Sequence, residues 1–88
     1  MRANNSIKKI GTSNGKNYAL KYLKEVAKSE GINKAIKVAK EELRRVARDI
    51  SLIETLQIDL SSSYDYWWLV GWKQGLEVFI KDNEKKQN

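Results

Sequence analysis

The stretch Ile36-Lys37-Val38-Ala39-Lys40-Glu41-Glu42-Leu43-Arg44-Arg45-Val46-Ala47-Arg48-Asp49-Ile50-Ser51-Leu52-Ile53 decides the fold. Its apolar residues Ile36, Ala39, Leu43, Val46, Ile50 and Ile53 recur at alternating steps of three and four. That is the pattern of a helix carrying one continuous apolar seam. A half-buried strand would alternate by two, and this stretch does not. Ile32 continues the seam backwards, and forwards it meets Gln57 and then Leu60. The spacing predicts a helix from Lys34 to about Leu56, roughly six turns long. If a second copy packed on the seam, Gln57 would favour one register.

Working upstream, Gly31 marks a stop, because the residue after a helix often adopts a left-handed conformation that costs glycine little. Ile32 supplies the apolar contact that accompanies such a stop, and Asn33 is a good cap for the next helix. Ala19, Leu20, Leu23, Val26 and Ala27 recur at helical spacing and predict an earlier helix from about Asn17 to Glu30. Residues 1–16 are polar and rich in Asn, Ser and Gly, with the turn signal Asn14-Gly15. They read as a flexible basic arm.

Downstream, Ser61-Ser62-Ser63 marks a break, and Ser62 with Asp65 forms a capping box for a third helix running to about Asp82. Leu69, Trp72, Leu76, Phe79 and Ile80 make one apolar face of it. Trp67, Gly71, Gly75 and Val78 make a second, joined to the first through Trp68. So wide an apolar arc needs two packing partners. The expected architecture is all-α: a small three-helix bundle over residues 17–82, with a heptad-patterned central helix, the arm over 1–16 and a polar tail over 83–88. A surplus of apolar surface on the second and third helices makes a homodimer an expectation as well.

Composition narrows the chemistry. The chain has 88 residues, with no His, Cys or Pro. Without Cys there are no disulfides, thiol nucleophiles or thiolate metal sites; without His the usual general base and commonest metal ligand are missing. No metal or cofactor is expected. Gly11-Thr12-Ser13-Asn14-Gly15-Lys16-Asn17 is one spacer short of a phosphate-binding loop, with Asn17 where Ser or Thr should hold magnesium. Glu41, Glu42 and Asp49 fall on a helix exterior among cations, where ion pairing is their expected role. The chain does not read as an enzyme. Its most apolar cluster, Tyr66 to Trp72, is too short to span a bilayer, and no secretory pattern opens the sequence. A cytoplasmic protein with no membrane partner is expected.

The charge is segregated. Residues 1–48 carry 13 Lys/Arg and four acids, a net +9, whereas residues 49–88 carry four Lys and seven acids, a net −3. Lys21, Lys24 and Lys28 fall on one side of the first helix. Lys37, Arg44 and Arg48 fall on the second helix away from its seam, with Lys34 and Arg45 beside them. Basic backs on apolar-fronted helices can present cations to a polyanion while the fronts pack. These eight residues are the candidate binding set for nucleic acid or an acidic partner. The helix–Gly31–helix sequence hints at a helix-turn-helix, but Lys37 and Lys40 stand where apolar residues would anchor its second helix.

Five of the eight aromatics, Tyr64, Tyr66, Trp67, Trp68 and Trp72, crowd into nine residues. Exposed Trp and Tyr are frequent interface anchors, and Gly71 and Gly75 permit close approach of another backbone or ring. Tyr64, Tyr66, Trp67, Gly71 and Gly75 are therefore the protein-interface candidates, with Tyr18 or Tyr22 as the internal alternative for filling the glycine notch. Two functions follow. The first is a non-catalytic nucleic-acid-binding regulator acting through the basic backs of the first two helices. The second is a small inhibitor or adaptor, of a kind suited to a phage or mobile element. It would block a host nuclease or nucleic-acid-handling complex through its basic stripe and Trp/Tyr-rich third helix.

Overall fold

In the computed structural model, backbone is described for residues 2–87 and side chains for residues 6–84. Three helices form a bundle: α1 (Arg2–Glu30), α2 (Ile32–Glu54) and α3 (Tyr64–Gln87). The all-α three-helix expectation holds. The heptad pattern in α2 buries Ala35, Ile36, Ala39, Val46 and Ile50. With Ala19 and Leu23 of α1 and Leu76 and Phe79 of α3 these make the core. The seam that could have supplied a coiled-coil dimer thus faces the chain's own interior.

Residues 1–16 differ from expectation. From Arg2 onward they are the first half of α1, not an arm; Met1 lies outside the described residues. Two glycines lower helix propensity there by about 1 kcal/mol each relative to alanine, and packing against α3 offsets that loss. Gly11 lies on Tyr64 and Trp67, Gly15 on the backbone of Trp68 and Trp72, and Ala19 on Gly75. The two helices therefore run parallel. The spacing of four residues along α1 (Gly11, Gly15, Ala19) meets the same spacing on α3 (Gly71, Gly75), so two backbones come together without intervening side chains. The approach leaves the Thr12 hydroxyl oxygen buried without a hydrogen-bond partner, a modest cost.

Boundaries shift in ways that have local causes. Gly31 has φ +94° and ψ 159°, a region that side chains strongly disfavour. It stands immediately before Ile32, so Gly31 and not Asn33 occupies the cap position of α2. At the other end Gln57 takes φ +57°, which places it outside the helix and outside any seam. Residues 57–60 form a connector without regular secondary structure. Ser63, one place after the predicted Ser62, caps α3: its hydroxyl accepts the Tyr66 amide at 3.2 Å. The expected tail over 83–88 is helical as far as Gln87; Asn88 lies outside the described residues. Asn83 donates to the Phe79 carbonyl at 2.8 Å, and Glu84 pairs with Lys40 of α2.

Candidate nucleic-acid interface

All eight predicted cations, Lys21, Lys24, Lys28, Lys34, Lys37, Arg44, Arg45 and Arg48, are exposed. Six of them line three separate grooves, and Lys34 and Arg48 line none of these. Lys21, Lys24 and Lys28 rim a groove of about 720 Å³ on α1, floored by Leu20 and Ala27 and including Asn17 and Glu25. Lys37, Lys40 and Arg44 rim another, of about 390 Å³, on α2, with Asn33, Ile36 and Glu41. Arg45 turns away from both and pairs with Glu42 at 3.3 Å. Among the described residues the ion pairs are Lys40–Glu84 and Arg45–Glu42. The remaining predicted cations have no carboxylate partner among the described residues.

The extension of α1 adds to the basic row. Lys8, Lys9 and Lys16, with Thr12 and Ser13, line a further groove of about 450 Å³ immediately N-terminal to the first. From Lys8 to Lys28 the helix thus carries six lysines over about 30 Å at 1.5 Å per residue, with Glu25 the one carboxylate lining either groove. Reading residues 1–16 as an arm concealed this, because an arm has no faces. The signal available was the four-residue spacing of Gly11, Gly15 and Ala19, matched by Gly71 and Gly75.

The protein-interface candidates are used inside the chain. Gly71 sits on the Thr12 backbone and Gly75 on Lys16 and Ala19, so α1 itself fills the notch, with neither Tyr18 nor Tyr22 in it. These two glycines are buried and offer nothing to a partner. Trp67 is half-buried; its indole N–H donates to the Ser61 carbonyl at 3.0 Å, and Lys8 Nζ lies 4.8 Å from the ring centre. Tyr66 donates its hydroxyl to the Glu54 carboxylate at 2.7 Å. That bond, then burial and the neighbouring negative charge, raise the Tyr66 pKa above the ordinary tyrosine value. The Tyr64 hydroxyl accepts from Asn14 Nδ2 at 3.0 Å.

Tyr64 stays 42% exposed, and other aromatics also reach the surface. Trp68 and Trp72 stack with centroids 5.4 Å apart, and Tyr18 lies 5.7 Å from each. Tyr18 is 56% exposed. With Val46 and Leu69 these rings line a groove of about 250 Å³ edged by Glu42, Arg45 and Asp49. It lies between α2 and the α1–α3 pair. Two carboxylates against one arginine make it a poor seat for phosphate.

No helix among the described residues is long and apolar enough to cross a membrane, and no cluster of three or more acids there has metal-ligand geometry. The chain matches no protein-family model, no curated protein and no solved structure.

Proposed function

We propose that this chain is a non-catalytic nucleic-acid-binding regulator whose principal phosphate surface is the lysine row of α1, with the basic groove of α2 as a second contact. The observation that carries this reading is the row from Lys8 to Lys28. Its lysines are exposed or half-exposed, without a carboxylate partner among the described residues, and held at fixed spacing by a helix anchored on α3. Lysine acts as a point charge toward phosphate, without the fork geometry that reads base edges. Backbone tracking with little sequence preference is what such a row supports. Arg44 and Arg48 on α2 add bidentate donors.

Fluorescence anisotropy with labelled duplex and single-stranded oligonucleotides, across a salt series, tests the reading. Binding that weakens steeply with salt is expected, and Lys16→Glu with Lys21→Glu and Lys24→Glu should abolish it. Affinity indifferent to salt, or to that triple reversal, would overturn the proposal.

One observation favours the inhibitor or adaptor reading: the aromatic groove of Tyr18, Trp68 and Trp72 is exposed and not basic. Pull-down from nuclease-treated host lysate separates the two readings. A single stoichiometric protein partner that is lost on Tyr18→Ala supports the inhibitor; its absence, with oligonucleotide binding intact, supports the regulator.

A further inference from the structure

A different end of the molecule carries a second message. Leu52, Leu56 and Ile58, where α2 gives way to the connector, are 59%, 62% and 59% exposed. No lysine or arginine occurs in the sequence between Asp49 and Trp72, where Glu54 and Asp59 neighbour the three apolar residues, and the cation that approaches this end is Lys8 of α1, on the Trp67 ring. Asp59 is fixed in place: the Ser61 hydroxyl and amide donate to its carboxylate at 2.7 and 3.0 Å and hold its pKa below the usual value. Glu54 is oriented by Tyr66. The tip is apolar, acidic and locally ordered.

The α1 groove is its complement, with Leu20 and Ala27 on the floor and a net cationic rim of Lys21, Lys24 and Lys28 against one carboxylate, Glu25. Within one chain the two cannot meet. The groove lies beside the second half of α3, since Ala19 packs on Gly75, while the tip precedes α3, since Glu54 bonds Tyr66 near its start.

We propose that the tip of one copy docks into the α1 groove of a second copy, with Leu56 on the Leu20–Ala27 floor and Glu54 and Asp59 among the lysines. Such a contact is heterologous, so a pair still has one free tip and one free groove, and further copies add until a ring closes. It is independent of the nucleic-acid reading, although both occupants want Lys21, Lys24 and Lys28. A nucleic acid bound there would dissolve the assembly.

Sedimentation equilibrium on nuclease-treated protein at low ionic strength tests this. The wild type should exceed the 10.2 kDa of one chain as concentration rises, and salt should reverse the growth. Leu56→Asp, at an exposed site, and Lys24→Glu should each return the single-chain mass with unchanged helical circular dichroism. Mixed together, the two variants should form a capped pair of twice that mass, because the intact tip of Lys24→Glu fits the intact groove of Leu56→Asp. A wild type that stays at one chain at every concentration would overturn the proposal. So would self-association of Lys24→Glu alone, the result expected of tip-to-tip pairing. Neither result bears on oligonucleotide binding, which is measured separately.

Discussion

Gly71 of α3 rests directly on the backbone carbonyl of Thr12 in α1, where a methyl group would overlap the oxygen. Helix propensity alone would make Gly71→Ala stabilising by about 1 kcal/mol. Here overpacking against an immovable carbonyl reverses the sign, and a net loss of about 1–3 kcal/mol is expected. Gly15→Ala, which would strike the Trp68 carbonyl, should do the same. Urea unfolding followed by circular dichroism measures both, and a midpoint unchanged or raised would show that the helices are not in backbone contact.

The first half of α1 is expected to be indispensable. Removing residues 1–16 takes away Gly11 and Gly15 and uncovers Trp67, Trp68 and Trp72. The truncated chain should lose its cooperative unfolding transition, and amides of residues 9–16 in the intact chain should resist hydrogen exchange. Fast exchange there would restore the picture of an arm.

Those residues also show where the sequence was readable and where it was not. The seam of α2 and the wide apolar arc of α3 were legible because burial repeats at the helical period and large side chains announce it. The α1–α3 contact is made by the absence of side chains, and Gly11, Asn14 and Gly15 carry the same composition as a loop. What selects helix is a partner surface more than fifty positions away, which no local window contains. The candidate site inherited the same division. Lys21 to Arg48 could be placed because their helices were evident, whereas Lys8, Lys9 and Lys16 acquired a face only once α1 was continuous. Gly71 and Gly75 were recognised as a place of close approach, but their small size says nothing about whether the neighbour is internal.

Salt dependence gives a quantitative check on the lysine row. For duplex DNA the slope of log affinity against log salt changes by about 0.9 per phosphate neutralised. Replacing Lys16, Lys21 and Lys24 by glutamine one after another should reduce the slope by roughly that amount each time. A slope that does not change with these replacements would place the phosphate contacts elsewhere, with Lys37, Arg44 and Arg48 next in line.

Tyr66 should titrate above the ordinary tyrosine value. Its hydrogen bond to Glu54 favours the neutral phenol, so the folded-state pKa is raised relative to the unfolded chain. The associated stability is complete below the ordinary tyrosine pKa of about 10 and is lost as pH rises through the folded value. Glu54→Gln should bring the Tyr66 titration down. Absorbance titration of the wild type against Tyr66→Phe isolates the group, and a Tyr66 that titrates at the ordinary tyrosine value would refute the interaction.

Gln57 is exposed and holds a left-handed backbone at φ +57°. Gln57→Gly should remove a penalty of about 1 kcal/mol, partly offset by the greater freedom glycine gives the unfolded chain. A small rise in melting temperature is the expected readout; a fall would mean the glutamine side chain makes a contact that matters.

The parallel seating of α1 on α3 has a consequence for biosynthesis. Asn14 and Tyr64, bonded in the finished molecule, are fifty positions apart. A nascent α1 therefore leaves the ribosome long before its counterpart exists, with its glycine flank bare and its lysines displayed. During that interval α1 and α2 form only a helical hairpin lacking its third wall. Arrival of the tryptophans would be the committing event, and a translational pause placed just before Tyr64 would prolong the most vulnerable moment in the life of the chain.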